Sequence, residues 1–464
     1  MQKLIAKYGL AAHLAILAVA PLFLFPFCSD GSIARVLIWL TLPAVLWTVL
    51  EPSMRGGERV HEARRRVAKA ILRDPLLWAS LALVAFTGLR ALNTGITLKY
   101  NAEVAAWHVS APPFPILPGV VGDSGFLPFA AALGCAVLMQ ACRHSLGRSA
   151  RMSFLLLVSF LSGLASLVTL VAIHEGVSGA AALLPSAKGT VFSFVGFAFG
   201  MNLVGGLVAL VALVEHRWKL SFFLLFLGIG GNAAGFFAFL PPYIAVAVAA
   251  VGILTLAYVV GFSCRAFPGV DGLKLLAIAG ISLTIGGLLV VALLPKPVLD
   301  ERLAAFAGLK LFPENFREIR ESLSAMAFKS WVSHIWIGTG VASFPLDFRF
   351  AAREADWILL PRGATSVANG WWLLLSEQGL VGAVFFALPF GFLLVTYVRR
   401  LVGGMRGVML PHPACLIAPL ALMLFVPVGF VDGSPLRAEV LMVTCAFLAV
   451  SAATFQRVRG GRDG

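Results

Sequence analysis

Residues 320–344 read RESLSAMAFKSWVSHIWIGTGVASF, and residues 367–382 read VANGWWLLLSEQGLVG. The first stretch mixes apolar and polar residues with a helical period. The second opens an apolar run that continues to Val398. A helix rises about 1.5 Å per residue, so that run is long enough to cross a hydrocarbon core about 30 Å thick. An amphipathic segment, a polar loop and a spanning helix therefore follow one another here.

Comparable apolar runs recur on both sides, near 10–27, 32–50, 75–93, 125–142, 152–172, 191–214, 220–238, 243–263, 275–294, 371–398, 412–431 and 437–455. The chain is 59% hydrophobic and 12% charged, with a mean hydropathy of +0.92. A water-soluble domain needs more polar surface than this to cover itself. The expected fold is all-α: a polytopic membrane protein of about 12 transmembrane helices, one integral domain over 1–464. Its largest connection, 295–370, falls between the ninth and tenth spans. A Pro-rich connection covers 95–124. No internal repeat is visible, which argues against a transporter built from duplicated halves.

Lys and Arg gather in every second connection, at Arg55 to Arg73, Arg143 to Arg151, Arg217 and Lys219, Arg265 and Lys274, and Arg399 to Arg406. The positive-inside rule then places both termini in the cytoplasm and 295–370 on the opposite face. The net charge of +14 reads as this bias plus attraction to anionic headgroups, so no nucleic-acid partner is called for. Lys3 and Lys7 before an apolar run, with no small-residue cleavage site after it, read as a signal anchor. The six cysteines show no metal-ligand or disulfide spacing. No metal and no cofactor are expected.

Within the large loop, 313–331 is expected to be a helix, with Pro313 and Glu314 in its first turn. Phe316, Ile319, Leu323, Met326 and Ser330 share one stripe. Such a helix can lie along the outer interface with the stripe in the acyl region and Arg320 at headgroup level, the alternative being an arginine that snorkels to water.

These residues carry a resemblance. Arg320 is followed by Gly338, Gly340 and Phe344, and Ala368–Asn369 by Glu377, Gly379 and Gly382. That order and spacing, on a chain of about twelve spans, resembles the O-antigen ligase and O-antigen polymerase superfamily of bacterial envelope enzymes. Two departures stand out. Ala368 occupies the place of the family's catalytic His. The family's Ser-Arg-Gly, expected at a short connection after span seven, is matched here by GGNAAG, with Asn232 and Ala233.

The resemblance implies glycosyl transfer on the periplasmic face of the bacterial inner membrane. The donor would be an undecaprenyl-pyrophosphate-linked glycan, the acceptor a lipid or glycan, with polysaccharide-assembly proteins as further partners. A pyrophosphate leaving group calls for fixed cations, best supplied by the planar fork of Arg. Arg320 is the first candidate, with Arg349, Arg353 and Arg362 in the same loop. The acceptor hydroxyl calls for a base, and with Ala368 unable to serve, His334, Asp347, Glu354, Asp356 and Glu377 remain. Glu377, inside an apolar helix, is the choice. Each has a structural alternative. Glu377 could make a packing bond, Asp347 could clamp Arg349, and His334 could hold a turn. Asn369 could bind sugar hydroxyls or cap the helix. Trp371, with Trp331, Trp336, Trp357 and Trp372, could stack on sugars or form an interfacial belt. The rival functions are a polyprenyl-glycan flippase and an inactive homologue that scaffolds envelope assembly.

Overall fold

The computed structural model describes residues 2–24, 30–47, 60–96, 98–101, 106–109, 120–121, 126–177, 194–216, 219–239, 272–307, 316–352, 356, 367, 369–405, 413–431 and 437–454. The helices are α1 (Gln2–Leu24), α2 (Asp30–Thr41), α3 (Val60–Leu72), α4 (Pro75–Ala91), α5 (Phe126–Ser145), α6 (Arg148–His174), α7 (Phe194–His216), α8 (Lys219–Phe239) and α9 (Gly272–Leu293). They continue as α10 (Lys296–Ala307), α11 (Phe316–Ser333), α12 (Phe344–Ala351), α13 (Gly370–Met405), α14 (Ile417–Val431) and α15 (Ala438–Ala453).

The described residues of every expected apolar run are mainly helical, and run 243–263 lies outside the described residues. Among the described residues, four helical stretches are long and apolar enough to cross a membrane: α5, α6, α9 and residues 370–399 of α13. A fifth would be the pair 64–72 and 75–91, bent by 66°. The remaining apolar helices are shorter. The chain is thus a mostly helical membrane protein.

The Pro-rich connection departs from all-α. Short strands β1 (Thr94–Ile96), β2 (Leu98–Asn101), β3 (Ala106–Val109) and β4 (Val120–Val121) form two two-stranded ladders. β1 pairs parallel with β4 and β2 antiparallel with β3. The β-branched and aromatic residues of these strands favour extended chain.

Two packing solutions set the scaffold. α6 and α8 cross with their backbones nearly touching: a Cβ on Gly231 would lie 2.4 Å from the Gly163 carbonyl oxygen, and one on Gly163 2.5 Å from that of Gly228. Small residues permit such an approach in membranes, where packing replaces the hydrophobic effect between helices. Asn232 reinforces it, donating to the carbonyls of Ser159 and Gly228, each at 2.8 Å. The GGNAAG stretch is therefore not a connection between spans; it lies inside α8, buried in this crossing. Gly231→Ala is expected to cost about 1–3 kcal/mol, because backbone, unlike a side chain, cannot swing aside. A lower melting temperature of the purified protein in detergent would show it.

The second solution positions the candidate site. α4 runs antiparallel to α13, with Phe86 against Gly382 and its ring 5.5 Å from that of Phe385. At the other end of α4, Asp74 caps the helix through the Leu76 N–H and accepts from Arg143 Nε at 2.8 Å.

The stripe assigned to lipid is used differently. Leu323, Met326 and Ala327 are buried, and they pack with Phe344, Phe348 and Val367 while Ile319 joins their margin. The apolar face of α11 meets α12 rather than acyl chains. The start of the expected helix, 313–315, lies outside the described residues.

Candidate active site

Asn369 opens α13. Its Oδ1 accepts the N–H groups of Trp371 at 3.1 Å and Trp372 at 3.3 Å, which makes it an N-cap. The helix then breaks at Gly379, whose φ of 67° and ψ of −175° are accessible to glycine and costly for any other residue. A break strands the carbonyls before it and the N–H groups after it, and each needs a new partner.

The turn after α11 supplies them. Leu380 and Val381 N–H donate to the carbonyls of Ile335 (2.8 Å) and Trp336 (3.0 Å). In return Thr339 and Gly340 N–H donate to the carbonyls of Ser376 (2.8 Å) and Glu377 (3.0 Å). Gly338, at φ 67°, faces the break, and a Cβ there would lie 2.5 Å from the Glu377 carbonyl carbon. The two halves of the sequence motif, 338–344 and 369–382, are thereby hydrogen-bonded to one another.

Arg90, at the end of α4, completes the joint. Its guanidinium donates to the Glu377 carbonyl at 2.6 Å, to Gln378 Oε1 at 3.2 Å and to the Ile337 carbonyl. It is buried and stacks over the Phe86 ring at 5.1 Å. Sequence reasoning gave Arg90 no role. The available signal was a lone arginine at the end of an apolar run, but its partners stand at 337, 377 and 378 and belong mostly to the backbone.

The Glu377 carboxylate accepts N–H bonds from Ala342 and Phe344. The 340–343 turn wraps it, with Gly340 at φ 121° and Ala342 at φ 58°. Because Phe344 begins α12, the carboxylate also sits at a helix N-terminus, where negative charge is favoured. Asp347, near enough to act on Glu377 electrostatically, accepts from Ser330 Oγ at 2.7 Å and Thr339 Oγ1 at 3.4 Å. Thr339 Oγ1 is also 2.7 Å from Ser343 Oγ. Burial pushes the Asp347 carboxyl above the ordinary range, against the hydrogen bonds from Ser330 and Thr339 and the nearby His334. Two carboxylates and three hydroxyls thus gather around the 339–344 turn, and the Arg90 guanidinium acts electrostatically on Glu377.

Arg320 is elsewhere. It donates to the Phe430 carbonyl at 2.8 Å, where the end of α14 leaves acceptors without helical partners. Trp371 shares this level: its Nε1 donates to the Val426 carbonyl at 3.2 Å, and its ring is 5.9 Å from Phe430. Six residues of helix, about 9 Å, separate Trp371 from Glu377. The candidates therefore form two layers, Arg320, Asn369 and Trp371 in one, and Glu377, Asp347 and Arg90 in the other. Arg320 is not at the free margin of an interfacial helix; it is bonded to α14.

Arg349 is exposed at the end of α12, and Asp347 turns to Ser330 and Thr339 rather than to it. His334 is exposed, and its carbonyl accepts the Gly338 N–H at 2.8 Å. Asp356 is buried and accepts from Ser322 Oγ. Trp331 and Trp372 pack against each other and against Phe328, with ring centres 5.4 to 5.9 Å apart. Arg353, Glu354, Trp357, Arg362 and Ala368 lie outside the described residues. No protein-family model and no curated protein matches this chain.

Proposed function

We propose that the chain is a multi-pass membrane glycosyltransferase of about twelve spans with both termini in the cytoplasm. It would act on the outer face of a bacterial inner membrane, on a glycan carried by undecaprenyl pyrophosphate, as a ligase or a polymerase. One observation carries this reading: motif halves 39 residues apart, read from Gly338 to Glu377, meet at the break in α13 and bring Glu377, Asp347 and Thr339 together.

In the proposed step the acceptor hydroxyl oxygen attacks the anomeric carbon of the donor. The bond from that carbon to the pyrophosphate oxygen breaks, the electron pair leaves on that oxygen, and the hydroxyl proton passes to Glu377. Arg320, with Arg349, Arg353 and Arg362, would offset the charge that develops on the pyrophosphate. One substrate would have to bridge the two layers, which about 9 Å of helix separates between Trp371 and Glu377. Asn369 and Trp371 would line the path between them.

Arg320 offers a test. Lysine can still donate to the Phe430 carbonyl but loses the two-pronged phosphate fork. Arg320→Lys should keep the parental melting temperature yet lose about 10²-fold or more of transfer from a lipid-linked glycan in liposomes. Arg320→Ala should do no better. Parental transfer in the alanine variant would remove Arg320 from the reaction. A second reading, a scaffold without transfer activity, is favoured by Ala368 and by the engagement of the Glu377 carboxylate with two backbone N–H groups.

A further inference from the structure

The turn that fills the break in α13 lies at a depth set by two independent helices. At one end, Asp74 of α4 binds Arg143, whose guanidinium lies over the Phe392 ring of α13 at 5.9 Å. At the other, Arg90 binds the Glu377 carbonyl and Gln378. Asp74 to Arg90 is sixteen residues, about 24 Å, and Phe392 back to Glu377 is fifteen, about 22 Å. Arg73 and Arg143 belong to a basic level at a membrane face, with Arg399 further along α13 on the same side. A hydrocarbon core is about 30 Å thick, and helix tilt only shortens the depth reached. The break and its turn therefore stand inside the far margin of the core.

Non-helical backbone is tolerated at that depth only where protein satisfies its polar groups. The carbonyls of Ile335 and Trp336, the Ile337 carbonyl, and the N–H groups of Gly338, Thr339 and Gly340 all have partners in α13, Arg90 or α11's last turn. The side chains tell the same story. Phe328, Val332, Ile335 and Trp336 are exposed, Trp336 to 67%, although each is strongly apolar. They continue the exposed apolar residues Leu380, Val384 and Leu388 of α13, which face outward along a membrane span.

We propose that residues 328–340 form a re-entrant element whose Phe328, Val332, Ile335 and Trp336 side chains seat among the acyl chains of the leaflet opposite Arg73 and Arg399. The lipid-contacting face of the large loop is then the end of α11 and its turn, not the Leu323–Met326 stripe. This holds whatever reaction the chain performs.

The test uses the full-length protein in phosphatidylcholine liposomes, with Trp336→Cys carrying an environment-sensitive fluorophore. Cys28 and Cys264 are replaced by Ser; the four described cysteines are buried. Glu321→Cys, at the exposed polar side of α11, is the reference. Lipids brominated on the acyl chain should quench the label at 336 several-fold more than at 321, with aqueous iodide showing the reverse. Iodide quenching at 336 equal to that at 321 would put the turn in water and overturn the proposal. Protection from both quenchers would mean that protein covers it, and would overturn it too. Ile335→Cys gives the same readout if Trp336→Cys does not fold.

Discussion

Arg90→Ala should destabilise the protein by about 3 kcal/mol or more. The guanidinium serves three acceptors at the break, and hydrogen bonds from charged donors are worth about 1.5–3 kcal/mol each. The Glu377 carbonyl keeps the Gly340 N–H, but the Ile337 carbonyl and Gln378 Oε1 lose the donor that Arg90 gave them. A buried acceptor without a partner costs more than the average bond because no water replaces the donor. Arg90→Lys should recover little, since one ammonium cannot span acceptors from two segments in the plane that the fork does. Thermal melting in detergent reads the loss, and proteolysis should open first in the 335–340 turn. An alanine variant that melts like the parent would show that the turn and the break hold together without it.

Gly379→Ala should be at least as damaging. A non-glycine residue at φ 67° and ψ −175° costs about 1–3 kcal/mol by itself. The added Cβ would also stand 2.4 Å from the Trp336 carbonyl oxygen and 2.5 Å from the Gly338 nitrogen. These are backbone atoms held by hydrogen bonds, so relief requires the turn to leave the break. With it go the donors to Ser376 and Glu377 and the wrap around the Glu377 carboxylate. The expected outcome is a total loss above about 3 kcal/mol, read as a fall in melting temperature and in folded yield. Substitution at Gly382 is also crowded: its Cβ would stand 2.5 Å from Gln378 Cβ, which cannot move without its backbone, and 2.8 Å from the Phe86 ring.

The apolar helices were legible because length and hydropathy alone mark them, and among the described residues four of them are long enough to cross a membrane. Asn369 was legible as a cap for the same local reason: its acceptor and the two N–H groups lie within three residues. What failed needed contacts across the chain. The Leu323–Met326 stripe was visibly apolar, but the pattern does not say whether lipid or protein covers it, and Phe344 and Phe348 do. Gly338 and Gly379 were visible as motif positions, yet their mutual contact is a tertiary fact, and so is the burial of GGNAAG against α6. Arg90 was hidden most deeply, since backbone carbonyls are present at every residue and leave no pattern to search for. Arg320 was read from its motif position, and nothing local announced the Phe430 carbonyl 110 residues away.

In the proposed reaction the break in α13 holds the group that takes the acceptor's proton, and Glu377→Gln removes that group alone. The glutamine Oε1 still accepts from the Ala342 and Phe344 N–H groups, so the wrap and the helix start should survive. The basic oxygen is gone, and general-base catalysis is worth about 10²–10⁴-fold. Transfer from a polyprenyl-pyrophosphate glycan, measured in liposomes beside the melting temperature, should fall by that factor while the fold persists. A Glu377→Gln protein that transfers at the parental rate would contradict the account, and a parent that transfers nothing from such donors would leave Glu377 a purely structural anion in a scaffold.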